Sequence, residues 1–207
     1  MQDSLKDNAR ISVRSLGLEN VGVKVDENKF ICVDDQMRTA NANIFAIGDV
    51  VGGAMLAHKA TAEGKIAVNN IAGYKKTFTP AAIPAVLFTD PEVTWCGLTE
   101  TEAKAKKMKI KVARFMWGAS GRAASLGRND GITKLIVDPE TDIILGAGIV
   151  GPGAGELIAE CTVAVEQKMT AAELGAIIHP HPTLSETVME AAEAVHGVCT
   201  HLFQPKR

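Results

Sequence analysis

Residues 131–150, GITKLIVDPETDIILGAGIV, contain the feature that most restricts the fold of this chain. Two apolar runs rich in Ile, Leu and Val stand on either side of residues 139–142, Pro-Glu-Thr-Asp, which favour a turn. This arrangement predicts a long β-hairpin, with one strand before the turn and one after it. An antiparallel sheet is therefore the expected centre of this part of the chain.

The neighbouring segments predict further strands and helices around that hairpin. Strand patterns occur at residues 85–89, 92–97 and 109–115. Thr99 with Glu102, and Thr170 with Glu173, have the spacing of a helix capping box, and residues 155–168 predict another helix. Strands joined mostly by hairpins and covered by helices indicate an α+β fold, an antiparallel sheet flanked by helices.

Upstream of residue 78 the pattern differs. Residues 21–35 predict a small hairpin around a turn at 26–29, and residues 44–51, IFAIGDVV, predict a buried strand that carries Asp49 to its C-terminal end. Small residues at helical spacing predict a helix that ends at Gly73 and packs through Ala57, Ala60, Gly64, Ala67 or Val68, and Ile71. The two prolines in FTPAAIP indicate a domain linker at residues 78–84.

The glycines of GAGIVG, at positions 146, 148 and 151, match the dinucleotide-binding fingerprint letter for letter. That fingerprint requires a strand, a tight turn, a helix and then a second parallel strand. Here one predicted helix leads directly into another, and Ile149 and Val150 continue the strand. We therefore reject a nucleotide site at these glycines.

Composition excludes several classes of function. The formal net charge is −2, which leaves no basic surplus for nucleic acid or an anionic membrane surface. No apolar run approaches the length of a membrane span. The four cysteines, Cys32, Cys96, Cys161 and Cys199, form no close pair, so we expect reduced thiols, no metal site and a reducing compartment.

Residues 179–186, HPHPTLSE, are the strongest candidate for chemistry. Thr183 and Glu186 have capping-box spacing, which by itself accounts for Glu186, and the following helix has an apolar stripe of Leu184, Val188, Ala191 and Val195, closed by Gly197. The box does not account for His181, which precedes the helix within reach of a carboxylate in its first turn. A histidine held by Glu through one ring nitrogen is oriented and more basic, as proton transfer with a thiol requires.

The residues alone leave two interpretations open. One is a capped helix beside a surface histidine, and the other is a general acid–base pair of His181 and Glu186. His179 and His58 are expected to have structural or supporting roles.

Three motifs in order resemble a known family, the flavin-dependent pyridine nucleotide-disulphide oxidoreductases. HPHPTLSE is similar to the C-terminal active-site signature of its dihydrolipoamide dehydrogenase branch. Residues 36–64, QMRTANANIFAIGDVVGGAMLAHKATAEG, resemble the second FAD-contacting motif, and residues 90–103, DPEVTWCGLTETEA, resemble the start of the interface domain. The resemblance runs from about Ile11 onward.

The resemblance implies a domain organisation and an FAD site. Residues 1–37 would be the tail of an NAD-binding α/β domain, residues 38–79 a C-terminal piece of an FAD-binding α/β domain, and residues 80–207 the interface domain. Asp49 would hydrogen-bond the ribityl chain of FAD. Met55, Leu56 and Ala57 would lie near the pyrimidine edge of the flavin, where the positive helix end stabilises the reduced ring.

The resemblance also implies an activity and partners. His181 would deprotonate dihydrolipoamide and Glu186 would orient it, in an enzyme with NAD as final electron acceptor. The pair would act across a homodimer interface on substrate carried by the lipoyl domain of a 2-oxo acid dehydrogenase or glycine cleavage complex. The expected location is the bacterial cytoplasm or the mitochondrial matrix.

The family's first FAD fingerprint, redox-active cysteine pair and NAD fingerprint do not occur in these 207 residues. We therefore expect the chain to be catalytically incomplete by itself. Pro180 stands where the family commonly has a small residue.

The alternatives are a glutathione-reductase-like or mercuric-reductase-like enzyme, and a non-catalytic dimerisation or docking module. Cys199 is single, whereas mercuric reductases usually end in paired cysteines.

Overall fold

The computed structural model describes residue 13 and residues 16–202, which belong to two compact units, Met1–Thr79 and Pro80–Arg207. Residues 74–84, around the boundary, form neither helix nor strand. The start of the predicted NAD-domain tail, residues 1–12 with 14 and 15, lies outside the described residues. The predicted division of the first unit at residue 37 stays a prediction.

The first unit contains a minimal form of the hairpin expected at residues 21–35. Val25 and Ile31 form a single antiparallel bridge, and the amide of Asp26 donates to the carbonyl of Phe30 at 2.9 Å. A small apolar cluster that includes Val23, Ile31 and Ala46 lies beneath it. The turn was therefore predicted correctly, but around it the described residues form a single bridge instead of two strands.

The strand predicted at residues 44–51 is wrong. Phe45 makes an isolated bridge with Arg38, and Gly48–Val51 form a 3₁₀ turn that carries Asp49. The carbonyl of Val50 accepts from the amide of Ile31 at 2.8 Å. A strand needs a neighbour along its whole length. In the described part of this unit, Ile44 and Ala46 add backbone bonds with Thr39 and Met37, but no segment pairs with the whole run.

Helix α1, Ala57–Ile71, ends two residues before the predicted end at Gly73 and buries a different face. Its buried residues are Lys59, Glu63, Ala67 and Asn70, whereas Val68 and Ile71 are 64% and 66% exposed. Lys59 and Glu63 can be buried because they form an ion pair at 2.5 Å and also bind backbone groups. The expected stripe of small residues is therefore only partly in the interior.

The second unit contains the predicted antiparallel sheet, and the α+β fold is confirmed. Five strands lie in the order β1-β2-β5-β4-β3, and every neighbouring pair is antiparallel. Their bounds are Ala85–Leu87, Glu92–Gly97, Lys111–Met116, Ile132–Val137 and Ile144–Gly151 for β1 to β5. The hairpin at 131–150 forms β4 and β5, so the sequence feature with the clearest local pattern supplies the centre of the sheet.

In the part of the second unit that the structure describes, five helices accompany the sheet: α2 Glu100–Ala105, α3 Gly121–Ser125, α4 Ala154–Glu166, α5 Ala171–Gly175 and α6 Glu186–His196. Both capping boxes upstream of residue 180 are present in full, at Thr99 with Glu102 and at Thr170 with Glu173. Helices α4 and α6 pack on the sheet and enclose one core that includes Phe115, Leu135, Ile149, Ile158 and Val188. Helix α3 and the 3₁₀ turn Trp117–Ala119 before it were not predicted.

Gly146 and Gly151 lie within strand β5, so the rejected nucleotide fingerprint is indeed only a strand. A Cβ added at Gly146 would lie 2.1 Å from the carbonyl oxygen of Leu98, and one at Gly151 would lie 2.3 Å from Cζ3 of Trp117. These glycines are needed because another part of the protein approaches the strand closely.

Over the described residues, 13 and 16–202, no helix combines the length and the apolar character needed to cross a membrane.

Candidate active site

His181 and Glu186 lie side by side at the start of α6. Nδ1 of His181 is 2.8 Å from Oε1 of Glu186. The histidine side chain is 68% exposed and that of the glutamate 16%. When Nδ1–H donates its hydrogen bond to the carboxylate, the basic lone pair is on Nε2. The pair therefore presents an oriented, accessible base at the surface of the second unit.

The second oxygen of Glu186 holds the turn that carries the histidine. The amide of Thr183 donates to Oε2 at 2.7 Å, which is one half of the predicted capping box. The other half is wrong, because the hydroxyl of Thr183 donates to the carbonyl of Pro180 at 2.7 Å and the helix begins two residues later than predicted, with Ser185 as the N-cap. Glu186 therefore links the turn to the start of α6 and does not complete a capping box.

Partial burial of Glu186 raises its pKa. Opposing effects are larger and leave the pKa below its usual value: the hydrogen bonds from the Thr183 amide and His181, and the charges of His181 and His201. The carboxylate is therefore ionised at neutral pH and can stabilise a protonated imidazole.

A buried chain of hydrogen bonds fixes the start of α6 to the sheet. Nε1 of Trp117 donates to the hydroxyl of Thr133 at 2.9 Å, that hydroxyl is 2.8 Å from the hydroxyl of Thr187, and Thr187 donates to the carbonyl of Leu184 at 2.7 Å. The direction is determined, because an indole N–H can only donate and a carbonyl can only accept. Since Trp117, Thr133 and Thr187 are each 0% exposed, water cannot replace these bonds.

His179 has a different environment from His181. Its side chain is 5% exposed, Nε2 is 2.6 Å from Oε1 of Glu160, and Nδ1 is 2.8 Å from the carbonyl of Ile177. Both ring nitrogens are engaged, which favours the structural role expected for this residue.

Two other imidazole–carboxylate pairs involve α6, and sequence reasoning missed both. Nε2 of His196 is 3.2 Å from Oδ2 of Asp142, and Nδ1 of His201 is bonded to Oε1 of Glu190. The only sequence signal was the helical spacing of Glu186 and Glu190, one turn apart.

The four residues proposed to contact FAD lie in the first unit, at and before the start of α1. Asp49 is exposed in its 3₁₀ turn, Met55 is 40% exposed, and Leu56 is the N-cap residue before Ala57. No side chain caps this helix end among the described residues. The positive N-terminal end of α1 suits an anionic group, and the exposed carboxylate of Asp49 suits a hydroxyl-rich chain. These features fit the flavin that the family motif implies.

The buried ion pair of α1 connects these elements. The carboxylate of Glu63 accepts from the amide of Gly48 at 2.7 Å, and Lys59 Nζ donates to the carbonyl of Gly52 at 3.0 Å. Both ends of the turn that carries Asp49 are thus bound to the helix.

Within the residues that the structure describes, no group of three or more His, Cys, Asp or Glu side chains is arranged to hold a metal ion.

Comparison with known families gives two matches. Residues 83–192 match the dimerisation domain of the pyridine nucleotide-disulphide oxidoreductases, and residues 10–64 match a second domain of the same name, pyridine nucleotide-disulphide oxidoreductase.

Curated relatives are similar over almost all of the chain. It is 49% identical to a dihydrolipoyl dehydrogenase of Thermus scotoductus over 94% of its length, 50% identical to one of Vibrio parahaemolyticus over 91%, and 46% identical to one of Geobacillus stearothermophilus over 94%. The matched region spans only 42%, 40% and 41% of those relatives, respectively.

Solved structures agree with the fold. LpdA from Mycobacterium tuberculosis has a TM-score of 0.81 at 29% identity, covering 87% of this chain and 39% of that one. The HOCl-induced flavoprotein disulfide reductase RclA from Escherichia coli has a TM-score of 0.80 at 27% identity, covering 89% and 43%.

Proposed function

Because the chain belongs to the pyridine nucleotide-disulphide oxidoreductase family, we propose that it forms part of a dihydrolipoyl dehydrogenase, which oxidises dihydrolipoamide to lipoamide with NAD as final electron acceptor. The observation that carries the proposal is the His181–Glu186 pair, exposed and held at 2.8 Å. Identities of 46–50% to three dihydrolipoyl dehydrogenases favour this branch over the RclA-like reductases at 27%.

In this function His181 acts as the general base. Its Nε2 accepts the proton of one substrate thiol, and the thiolate that results is the nucleophile required for thiol–disulphide exchange. Glu186, ionised and bonded to Nδ1, stabilises the imidazolium that forms. In the reverse direction the imidazolium returns the proton to a leaving thiolate.

FAD, when bound, supplies the two-electron transfer between the disulphide and NAD. For its binding, Asp49 offers a carboxylate to the ribityl hydroxyls. Met55, Leu56 and Ala57 would hold the pyrimidine edge near the start of α1, where the positive helix end would favour negative charge.

We further propose a homodimer, in which His181 and Glu186 complete the site of the partner subunit. The substrate carrier would be the lipoyl domain of a 2-oxo acid dehydrogenase or glycine cleavage complex. The bacterial cytoplasm is the proposed location, in line with the bacterial sources of the relatives.

The decisive experiment joins these 207 residues to the upstream part of the Geobacillus stearothermophilus relative that they do not cover, and measures NAD-dependent oxidation of dihydrolipoamide. His181→Gln should lower kcat by about 10²–10⁴-fold, the usual contribution of a positioned base. His196→Gln is the matched control, because it also removes an imidazole that is bonded to a carboxylate, in this case from α6 to Asp142. Equal turnover in the two variants would refute the role of His181.

The 207 residues alone should not catalyse the reaction, because their four cysteines include no close pair that could form the redox disulphide. NADH-dependent reduction of lipoamide by the pure chain would contradict this expectation.

A further inference from the structure

The turn that carries His181 is attached to the rest of the second unit at two places. After the histidine, the amide of Thr183 donates to Oε2 of Glu186 at 2.7 Å. Before it, Nε2 of His179 lies 2.6 Å from Oε1 of Glu160, which belongs to α4. The first attachment uses the carboxylate that also binds the base. The second uses two residues to which the proposed chemistry gives no part.

The chain on both sides of His179 is exposed. Residues 176–178 and 180–182 lie at the surface, and Ile178 is 96% exposed. By contrast, the imidazole of His179 is buried, since its side chain is 5% exposed. Among the described residues, the backbone groups of residues 178–182 form no hydrogen bond with other backbone groups. Packing and main-chain bonds therefore do little to hold this part of the turn, and the ring of His179 attaches it to α4.

Two hydrogen bonds in different directions fix that ring. The carbonyl of Ile177 can only accept, so Nδ1 carries a hydrogen and donates to it at 2.8 Å. Nε2 is then left for the carboxylate of Glu160. Helix α4 packs on the sheet through a face that includes Ile158 and Cys161, which are 2% and 0% exposed. The carboxylate is therefore presented from a helix that is itself held by the core.

We propose that Glu160 and His179 are positioning residues for His181, and that the bond between them determines where Nε2 of His181 lies. The connection is short, because only Pro180 separates the two histidines, and the fixed φ of proline limits rotation between them. Neither positioning residue acts on the substrate. The inference rests on the function proposed above, because the position of His181 affects turnover only if His181 is the base.

The experiment uses the enzyme in which the 207 residues are joined to the upstream part of the Geobacillus stearothermophilus relative. Glu160→Ala removes the bond and should lower kcat about 10–100-fold, since a misplacement of about 1 Å at the reacting groups has an effect of this size. Glu160→Gln keeps a hydrogen-bonding group at the same distance from the helix and should retain most of the turnover. The KM for dihydrolipoamide and the amount of bound flavin should stay unchanged in both variants.

The matched control is Glu156→Ala, which removes an exposed carboxylate one turn earlier on α4. It should leave kcat unchanged. A loss in Glu156→Ala as large as that in Glu160→Ala would mean that α4 is merely sensitive to substitution, and the inference would fail.

A combination with His181→Gln separates positioning from general damage. If Glu160 acts through His181, Glu160→Ala should cause no further loss once that base has been replaced. Damage to the fold or to the flavin site would instead lower kcat by the same factor in both backgrounds, and this result would overturn the inference.

His179 provides a second pair of variants in case Glu160→Ala does not fold. His179→Gln places an amide near the position of Nε2 and keeps the reach to Glu160, whereas His179→Asn replaces only Nδ1. The Gln variant should therefore have the higher kcat, and equal values would contradict the role of the bond.

The two proposals fail in different ways. Unchanged turnover in His181→Gln would refute the role of the base itself. A strong loss in His181→Gln, together with normal turnover in Glu160→Ala, would refute only the positioning role.

Discussion

The hydroxyl of Thr187 is the middle of the buried chain that holds the start of α6, and replacing it with the isosteric Val tests that chain. The substitution removes the bond that Thr187 donates to the Leu184 carbonyl and leaves the Thr133 hydroxyl buried without its acceptor. The Leu184 carbonyl keeps one partner, the backbone amide of Thr187 at 3.1 Å. One lost bond and one unsatisfied buried hydroxyl together cost about 2–3 kcal/mol of unfolding free energy.

Thr187→Ser is the matched control. It keeps the hydroxyl and removes one buried methyl group, which costs about 1 kcal/mol. The Val variant should therefore be the less stable of the two, although its volume is closer to that of Thr.

Urea unfolding followed by tryptophan fluorescence measures this difference. The chain has two tryptophans, Trp95 and Trp117, and both belong to the second unit, so the signal reports on that unit. If the Val variant proves as stable as the Ser variant, or more stable, the hydrogen-bonded chain contributes nothing and the argument for it fails.

Two predictions concern the other buried polar groups. Glu63→Gln leaves the ammonium of Lys59, which is 7% exposed, without its counter-charge, so it should destabilise the first unit by about 3–5 kcal/mol. Amide hydrogen exchange in α1 should become faster in this variant. It should stay unchanged in the control Lys65→Met, because Lys65 is exposed. Burial and the bond to Glu190 raise the pKa of Cys199 to about 12, so the thiol stays protonated at neutral pH. Iodoacetamide at about pH 8 should then modify Cys199 about 10³-fold more slowly than in the unfolded chain, and Glu190→Gln should accelerate the reaction; equal rates in folded and unfolded chains would contradict the shift.

The elements that the sequence predicted well depend on residues close together in the chain. The hairpin at 131–150 needs only its turn and two adjacent apolar runs. The capping boxes at Thr99 and Thr170 need a partner three residues away. The position of His181 beside Glu186 is also local, because five residues separate them.

The features that were missed or wrong depend on distant partners. The strand expected at residues 44–51 lacks a continuous neighbour in the described part of its unit. The buried face of α1 was misassigned because the ion pair of Lys59 and Glu63 makes two charged residues suitable for the interior. Trp117 reaches Thr133 across 16 residues and His201 reaches Glu190 across 11, and a pattern search at helical or strand spacing does not detect such contacts.

The strand order of the sheet has a consequence during synthesis. Strand β5 lies in the middle of the sheet but is the last strand to be made, and it pairs with β2 from some fifty residues earlier. At a synthesis rate of 5–20 residues per second, β5 is made about 3–10 s after the β1–β2 hairpin. Throughout that interval one edge of β2 is unpaired, and near its end one edge of β4 is unpaired as well; both edges are open to a chaperone or to another nascent chain. Helix α6, and with it the His181 turn, is made only after β5, so the sheet on which it packs can already be complete when it forms.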